Sequence, residues 1–496
     1  MKFDKLKLAC AIALAGVSAQ AAALTAFETP DVTVYLTGAT APDAFLATIA
    51  TGMFEAGSIR YQDNNGTTAN FTDDGRLFNA YFGVMKSTSD IPSTLRGKKV
   101  MFIKRSKGGS VWGVNPVARA EKVATLQISS AACVLNSGVY RCPEVGVDPG
   151  LGAPTGQEMV PDFGVSDVAP NMFKGDFNVE FGSTELGGSE VGKLSSFPVN
   201  TLMMGLAVTD AIPTTTYLSR AAYGSMLSNA VTDWSQVDAG LSPAAGTQVV
   251  VCRRVPGSGT QTSYNWFFNN FPCTKGAVSG DAFTTPARMA DSAGYNDGDA
   301  NGYPDTGSGT QADPYVIDAA AGYTVLENST SGNVRDCLNK AGKGGIHTFK
   351  DEQGKWFKVD FGTGGYGAIG VLSLDSFGKE NGWSYRNMDG AGWYNTSTNT
   401  VTGSGIAPTQ ANLIEAKYDF AAELTMQYRN ATVAGVPALS GLKKAFADLF
   451  IKRAGDPAFQ SIATAALPPA YTPAPGLAVA KATRFGNMCS PLQKLF

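Results

Sequence analysis

The chain has 496 residues, of which 44% are hydrophobic and 16% are charged, and its formal net charge is −3. This length predicts two or three compact units, and the composition excludes a highly charged disordered chain. The balance of 39 basic against 42 acidic residues excludes a nucleic-acid-binding protein that works through bulk positive charge. The only histidine, His347, excludes a histidine-rich metal site. Because no nucleophile motif lies near it, we expect an ordinary surface or hydrogen-bonded residue.

Residues 1–23 have the three-part layout of a secretory signal peptide. Lys2, Lys5 and Lys7 precede an apolar run at residues 8–17, and small residues suited to cleavage follow. The apolar run is too short to span a bilayer, and no later stretch reaches about 18 uninterrupted apolar residues. We therefore expect a cleaved signal and a soluble periplasmic or secreted protein with no membrane span.

A strand followed by a short turn and a helix recurs along the chain. The first unit has an alternating strand at residues 31–36 and a helix at 44–49, and another strand is predicted at residues 99–104. A later unit has a strand at residues 247–252 and a helix at 262–270. Alternating strands and helices predict an α/β fold with an open sheet, in which ligands bind at the carboxyl ends of the strands.

Two stretches interrupt this alternation. Residues 129–161 are rich in Gly, Pro and Cys, which predicts a disulfide-closed insertion. Residues 276–322 form a long polar segment dominated by Asp, Asn, Gly and Ser, and a loop of that length is functional or partly disordered. A helical pattern returns at residues 439–450.

Six cysteines follow the signal peptide, and an even number in an exported chain predicts disulfides. Sequence alone does not fix the pairing. Proximity along the chain favours Cys133–Cys142 and Cys252–Cys273, which leaves Cys337–Cys489 by elimination. The alternative is a set of buried free thiols.

The strongest local signal for function is the turn after the strand at residues 247–252. Arg254 is followed by Ser258, Gly259 and Thr260, just before the predicted helix. Free backbone N–H groups at a helix start, hydroxyl groups and a guanidinium are the donors that a tetrahedral oxyanion needs. The alternative is a plain strand-to-helix turn in which Ser258 or Thr260 caps the helix.

Motifs before and after this turn occur in a fixed order. They are Gly38-Ala39-Thr40-Ala41-Pro42, Gly164-Val165-Ser166-Asp167-Val168-Ala169-Pro170, residues 218–234 ending in Thr232-Asp233-Trp234, residues 328–334, and residues 367–371. Together with the central turn, this series resembles the phosphate-binding periplasmic proteins that serve ABC transporters. The resemblance is discontinuous, because the two insertions interrupt it.

The resemblance implies which residues would bind phosphate. They are Thr40, the backbone of Ala41, Asp167, Arg254, Ser258, Gly259 and Thr260, with either Ser106 or Ser110 as a further serine. A carboxylate such as Asp167 repels an anion unless the anion brings a proton, which phosphate does at neutral pH and sulfate does not. The alternative for Asp167 is an Asx turn or helix cap.

The chain departs from the family at two places. Ala41 stands where the family often has an aromatic residue, which would leave the backbone contact but change the packing. Arg253 lies beside Arg254, and neighbouring side chains of a strand point to opposite faces. We assign Arg254 to the site, because its spacing to Ser258 matches the family.

The resemblance also implies a fold, a function and a partner. The fold is a two-lobed, type II-like periplasmic binding protein, each lobe being a mixed sheet flanked by helices. Lobe I would contain residues 24–210 and 422–496, and lobe II residues 211–421. The function would be phosphate binding for an ABC permease in the inner membrane, without catalysis or a required cofactor. The alternatives are a surface or secreted structural protein that keeps the fold and, less favoured, a secreted phosphate-ester hydrolase.

A second ligand is suggested by the polar insertion. Asp297, Asp299, Asn301 and Asp305 place oxygen atoms at alternate positions, with Gly302 at the sixth position of the series. This is the first half of a calcium loop, but Ser308 occupies the twelfth position, where a bidentate glutamate is usual. A solvated polar loop is the alternative to a calcium site.

Overall fold

The structure is a computed structural model that describes residues 24–64, 77–175, 177–216, 218–241, 247–273, 286–389, 392–403, 405–459, 465–466, 479–490 and 492–495. The predicted signal peptide at residues 1–23 and residues 276–285 of the second insertion lie outside this part of the chain. A mixed sheet of 14 strands forms the centre of the described structure, and helices pack against it. The predicted mixed α/β class is therefore confirmed.

The strands, in chain order, are β1 (Val32–Gly38), β2 (Ile59–Asp63), β3 (Phe78–Val84), β4 (Lys99–Arg105), β5 (Thr125–Leu126), β6 (Val134–Asn136), β7 (Val139–Cys142), β8 (Glu144–Val145), β9 (Phe163–Ser166), β10 (Leu194–Thr209), β11 (Val250–Arg254), β12 (Tyr315–Val316), β13 (Thr324–Asn328), β14 (Ile346–Lys350), β15 (Trp356–Asp360), β16 (Ala368–Ser373), β17 (Trp383–Tyr385), β18 (Gly392–Asn395), β19 (Thr400–Gly403), β20 (Ala421–Arg429), β21 (Ala465–Ala466), β22 (Ala482–Thr483) and β23 (Gln493–Lys494).

The α-helices of the described residues are α1 (Asp43–Gly52), α2 (Asn115–Arg119), α3 (Gly188–Val191), α4 (Arg220–Leu227), α5 (Gly259–Asn269), α6 (Ser331–Lys343), α7 (Gln410–Ile414) and α8 (Gly441–Ala454). Within the described ranges, no helix combines the length and apolar character needed to cross a bilayer.

Neighbouring strands of the main sheet follow the order β13-β11-β16-β10-β20-β9-β1-β4-β3-β2-β7-β6, with β17 and β21 also paired to β10. β1 is parallel to β4 and β9, and β11 is parallel to β13 and β16. β10 is antiparallel to both β16 and β20. Two groups of parallel strands thus lie on either side of the antiparallel pair β10–β20.

The long strand β10 belongs to both sides of the sheet. Its first part pairs with β20, and its residues from Met204 to Val208 pair with β16. Leu206 and Val208 lie in a core cluster with β11, β13 and β16, whereas Val199 lies in a cluster with β1, β9, α1 and α8. The molecule therefore has two halves with separate cores. The predicted lobe boundaries at residues 210 and 421 stay predictions.

The elements predicted around the first and central turns are present with shifted ends. β1 runs to Gly38 and α1 begins at Asp43, around the Gly-Ala-Thr turn. β11 ends at Arg254, and α5 begins at Gly259 rather than at residue 262. The earlier start arises because Ser258 caps the helix. The C-terminal helical pattern corresponds to α8.

The first predicted insertion extends the main sheet. β6 and β7 form an antiparallel hairpin, and β7 pairs in parallel with β2, so this hairpin lies at the sheet edge. The Cys133–Cys142 disulfide predicted there is present, and it closes the hairpin. In the second insertion, β12 pairs in parallel with β15.

The other two predicted disulfides are wrong. The structure pairs Cys252 with Cys337 and Cys273 with Cys489, instead of Cys252–Cys273 and Cys337–Cys489. Cys252 is buried in β11, and α6 packs across that strand and brings Cys337 to it. Helix α5 intervenes between Cys252 and Cys273, and at about 1.5 Å per residue it separates them by many ångströms. Proximity in sequence failed because a rigid helix intervenes.

We expect the Cys252–Cys337 disulfide to contribute substantially to stability, because it closes a long loop between a buried strand and a helix. Replacing both cysteines by alanine should lower the free energy of unfolding by about 2–4 kcal/mol. The matched control is the Cys133→Ala/Cys142→Ala pair, which opens a loop with a sequence separation of only 9 against 85 and should cost less. Denaturant unfolding of both variants measures the two losses in free energy of unfolding. An equal or larger loss in the control variant would contradict the expectation.

Candidate functional site

The turn between β11 and α5 brings hydroxyl and backbone N–H groups to the end of a buried strand. Ser258 is the N-cap of α5, and its Oγ accepts a hydrogen bond from Gln261 N (3.4 Å). The N–H groups of Gly259 and Thr260 precede the first intrahelical bond, from Thr262 N to Ser258 O (2.8 Å). They therefore carry the partial positive charge of a helix start. The capping role expected for Ser258 in a plain turn is present, but this turn also packs against the segments that contain Ser110 and Asp167.

Two glycines make that packing possible. Gly257 has a φ of 83°, and a Cβ there would lie 2.5 Å from Val111 Cγ1. A Cβ on Gly259 would lie 2.2 Å from Ser110 Oγ and 2.9 Å from Asp167 Cβ. Larger residues would therefore push the start of α5 away from Ser110 and Asp167.

Arg254 is buried and its guanidinium contacts the other turns. Nη1 donates to Thr40 Oγ1 (2.9 Å), Nη2 donates to the Ser329 carbonyl (2.7 Å), and Nε donates to the Asn328 carbonyl (3.1 Å). Burial lowers the pKa of Arg254 to about 10, and the nearby Asp167 opposes this shift. The side chain therefore remains a cation at neutral pH.

The first turn approaches Arg254 from the other half of the molecule. Thr40 Oγ1 lies 3.3 Å from Ser331 Oγ as well as accepting from Arg254. Gly38 has a φ of 123°, and a Cβ there would lie 1.9 Å from the Val165 carbonyl, so only glycine fits. Ala41 is buried in the core cluster of the half that contains β11. An aromatic side chain in place of Ala41 would therefore have to fit into this core.

Asp167 follows β9 and is almost fully buried (1% exposed). Its backbone N donates to Ser110 Oγ (3.1 Å), and its Oδ2 accepts from Thr260 Oγ1 (3.1 Å). Its Oδ1 is buried without a hydrogen-bond partner among the residues that the structure describes. Burial raises the pKa of Asp167 to about 6, although Arg254 lowers it in part. This carboxylate therefore has an acceptor that remains to be satisfied.

The structure distinguishes the two candidate serines. Ser110 contacts Asp167 and lies against Gly259. Ser106 instead donates to Asp43 Oδ2 (2.7 Å) and accepts from Lys104 Nζ (2.8 Å). Ser110 therefore lies in the same cluster as the other site candidates, and Ser106 lies in a separate polar cluster beside the first turn.

The start of α6 is a part of the site that sequence analysis missed. Thr330 caps this helix, and Ser331 Oγ lies 3.4 Å from Arg254 Nη1. Residues 328–334 belong to the motif series that carries the resemblance, but the resemblance implies no role for Ser331. The strand-to-helix transition from β13 to α6 is the signal that could have revealed it, because it repeats the arrangement from β11 to α5.

The candidate site, called the anion cradle below, thus consists of Thr40, Ser110, Asp167, Arg254, Ser258, Gly259, Thr260 and Ser331. Its members follow the strands β1, β4, β9, β11 and β13. Arg253, by contrast, points away: its Nε donates to Gln261 Oε1 (3.2 Å) and its Nη1 donates to the Ala287 carbonyl. The cradle has an excess of donors over acceptors, which suits an anion.

Two cavities open beside the cradle, and their linings carry opposite charge. One of about 260 Å³ adjoins Thr40 and Ser331, and its charged lining residues are Arg60, Lys104, Arg335 and Lys379 with Asp43 and Asp375. The other, of about 770 Å³, adjoins Val255 and Pro256, and its charged lining residues are Glu180, Glu185, Glu327, Asp351 and Glu352 with Arg288. An anion is therefore attracted toward the cradle from the side of Thr40 and Ser331.

The predicted calcium ligands lie together in an exposed loop. Carboxylate oxygens of Asp297, Asp299 and Asp305 lie within 4.8 Å of one another. Asn301 N donates to Asp297 Oδ1 and Asp299 Oδ1 (both 3.1 Å), and Asn301 Nδ2 donates to Asp299 Oδ2 (2.9 Å). Carboxylate oxygens suit calcium, but Asn301 uses its amide nitrogen within the loop. Calcium binding here stays a prediction.

If the loop binds calcium, a chelator should increase cleavage by protease at residues 297–305 without changing anion binding, because the loop is distant in sequence from the cradle turns. The Asp297→Asn/Asp299→Asn variant is the matched control, since its digestion should not respond to chelator. Limited proteolysis with mass spectrometry measures both. Identical digestion of the unmodified protein with and without chelator would remove the calcium assignment.

Comparison with known proteins gave no match to a family model and no match among curated protein sequences. Among solved structures, one similar chain is a phosphate ABC transporter substrate-binding protein with bound phosphate from Clostridium perfringens. It is 12% identical, with 86% of this chain and 95% of that chain covered and a TM-score of 0.38.

Two further structures are similar at the same level. An ABC-type phosphate transport receptor from Vibrio cholerae is 14% identical over 59% of this chain and 74% of its own, with a TM-score of 0.28. A high-affinity periplasmic phosphate-binding protein, PfluDING, bound with phosphate, is 13% identical over 80% of both chains, with a TM-score of 0.34. Similarity at this level does not assign a ligand to the present chain.

Proposed function

We propose that this protein binds inorganic phosphate between its two halves, outside the cytoplasm, and delivers it to an ABC permease in the inner membrane. The observation that carries the proposal is the buried carboxylate of Asp167, whose Oδ1 has no hydrogen-bond partner among the residues that the structure describes, although Arg254 and several hydroxyl groups lie near it. The order of motifs in the sequence supports the same assignment.

The donors of the cradle favour a compact oxyanion. Arg254 provides a charge-assisted donor, and the first turns of α5 and α6 provide backbone N–H groups with the favourable end of the helix dipole. The hydroxyl groups of Thr40, Ser258 and Thr260 can either donate or accept, so they can adapt to the protonation state of the anion. Such groups replace the hydration shell that a buried anion loses.

Asp167 would select among oxyanions of the same shape. With a pKa of about 6 it is mostly ionised at neutral pH, so Oδ1 is an acceptor. Phosphate carries a proton that it can donate to this oxygen, whereas sulfate is fully ionised and would place two negative groups in contact. We therefore expect preference for phosphate over sulfate.

One contact also favours a second candidate, phosphate-ester hydrolysis. Thr260 Oγ1 donates to Asp167 Oδ2, which is the relation of a nucleophile to a general base. Hydrolysis is the weaker proposal, because Thr260 lies at 1% exposure in a cradle that would have to open for an ester. Release of p-nitrophenol from p-nitrophenyl phosphate by the purified protein, lost in Thr260→Val, would favour it over simple binding.

Removing the Arg254 guanidinium should weaken phosphate binding strongly. Truncating one partner of a buried charge pair costs on the order of 2–5 kcal/mol, so Arg254→Ala should raise the Kd by at least about 30-fold. Arg254→Lys is the matched control. It keeps the charge but loses the planar fork, so its affinity for phosphate should fall less than that of Arg254→Ala. Calorimetry after removal of co-purified anion measures both, and circular dichroism checks that each variant is folded. Unchanged affinity in Arg254→Ala would contradict the assignment.

Sulfate binding should depend on pH through Asp167. Below a pKa of about 6 the protonated carboxyl can donate to sulfate, so sulfate affinity should rise as the pH falls from 8 to 5. The rise should be at most about tenfold per pH unit, because one proton is taken up.

Asp167→Asn is the matched control for this experiment. Its amide can donate at every pH, so sulfate should bind more tightly near neutrality and nearly independently of pH. Calorimetric titration with sulfate at several pH values measures both proteins. A sulfate affinity of the unmodified protein that is flat with pH would show that Asp167 does not set the selectivity.

A further inference from the structure

The cavity of about 260 Å³ beside the anion cradle, called the basic cavity below, is built on three strands of one half. The strand register places lining side chains of β2, β3 and β4 in two rows across the sheet, Arg60–Tyr81–Phe102 and Gln62–Asn79–Lys104. Because residues two apart on a strand point to the same face, the two rows form one continuous floor.

The opposite wall of the basic cavity comes from the other half of the molecule. It consists of the start of α6 and the turn after β16, with the lining residues Thr330, Ser331, Gly332, Arg335, Asp375 and Lys379. Ser331 and Arg335 are four residues apart, so they lie on the same face of α6, about 6 Å apart along its axis. Helical side chains lean toward the N-terminus of their helix, so Arg335 leans toward the end of α6 that contacts the cradle.

Two hydroxyl groups separate the basic cavity from Arg254. Thr40 Oγ1 and Ser331 Oγ lie 3.3 Å apart, and Arg254 Nη1 contacts them at 2.9 and 3.4 Å. Both residues also line the cavity. An anion held by Arg254 is therefore one layer of hydroxyl groups away from the cavity. Each hydroxyl can rotate and donate to a ligand that passes between them.

Positive side chains outnumber negative ones in the basic cavity. The four cations are Arg60, Lys104, Arg335 and Lys379, and the two anions are Asp43 and Asp375. The charge of Lys104 is satisfied locally, because its Nζ lies 3.2 Å from Asp43 Oδ1 and donates to three backbone carbonyls. Arg60 Nε, by contrast, is buried without a hydrogen-bond partner among the described residues. The remaining excess of positive charge favours an anionic occupant.

We propose that the basic cavity is a subsite for a second anionic group, so that the protein binds inorganic diphosphate (pyrophosphate) as well as phosphate, and binds it more tightly. One phosphoryl group would lie in the anion cradle and the other between Arg60 and Arg335, which come from opposite halves. This inference rests on the proposed function of the cradle. Planar guanidinium groups match the paired oxygens of a phosphoryl group. Diphosphate also keeps a proton near neutral pH, so it can donate to Asp167.

A different role for the same charges is attraction at a distance, in which they draw any anion toward the cradle without touching it. The two roles have different consequences for affinity. Attraction at a distance acts on phosphate and diphosphate alike and weakens as salt is added. Direct contact acts only on a ligand that is long enough to extend from Arg254 to the two arginines of the cavity.

The test is calorimetry with phosphate, pyrophosphate and methyl phosphate, after removal of co-purified anion and without divalent cations. Methyl phosphate places a neutral group toward the cavity, so pyrophosphate should bind at least about tenfold more tightly than methyl phosphate. In Arg335→Gln the Kd for pyrophosphate should rise roughly 10–100-fold, the value of a hydrogen bond between charged groups. The Kd values for phosphate and methyl phosphate should change by no more than about threefold, since neither ligand reaches Arg335.

Two further variants complete the experiment. Arg60→Gln tests the other wall of the basic cavity independently and should show the same selective loss for pyrophosphate. Lys340→Gln is the matched control, because it removes one positive charge from the same helix at a residue that does not line the cavity. It should leave all three affinities nearly unchanged. Circular dichroism checks that each variant is folded.

The outcomes separate this inference from the proposed function. Equal losses for phosphate and pyrophosphate in the two arginine variants would show attraction at a distance and overturn the subsite. If phosphate binds but pyrophosphate binds no more tightly than methyl phosphate, the subsite fails and the proposed function stands. If phosphate does not bind while pyrophosphate binds and depends on Arg60 and Arg335, the proposed function fails and the subsite stands. If neither anion binds, both fail.

Discussion

The burial of one positive charge, that of Arg254, is the constraint on which the site depends. A guanidinium removed from water is stable only if its donors are satisfied and a negative charge lies near. Carbonyl groups at the end of β13 and the hydroxyl of Thr40 satisfy the donors, and Asp167 supplies the charge. Since Thr40 and Asp167 come from one half of the molecule and Arg254 from the other, the same charge also fixes how the two halves meet.

Because the residues of the anion cradle come from both halves of the molecule, anion binding is linked to the relative position of the halves. β10 and β20 connect the two cores as hydrogen-bonded strands, so the connection itself resists large shear but can bend or twist. An anion in the cradle would contact Thr40 and Ser110 from one side and Ser258 and Thr260 from the other. It would therefore add contacts between the halves only when they are close together, which is the energetic basis for closure around a ligand.

Local features were predictable from sequence, and pairings between distant segments were not. The strand, turn and helix around Thr40 and around Arg254 have local signals in alternating residues, glycines and a capping serine, and these elements are present. The strand-to-helix transition before Ser331 is a local signal of a second helix start, but its contact with Arg254 depends on which strands are neighbours in the sheet, and that is not a local property. The exchanged disulfide partners have the same cause, because Cys337 on α6 and Cys273 after the end of α5 lie at positions that only tertiary packing determines.

The disulfide between Cys273 and Cys489 closes a covalent ring, since these residues are 216 positions apart. The ring contains β13, α6, β16 and β20, together with most of the second core. A single break in the backbone within this ring opens it but leaves both pieces in one molecule. Outside a cell, where proteases are abundant, a chain nicked between residues 273 and 331 would thus have Arg254 on one piece and Ser331 on the other without the two separating. Its mass would exceed that of the intact protein only by the one water taken up in the cleavage, until the disulfide was reduced.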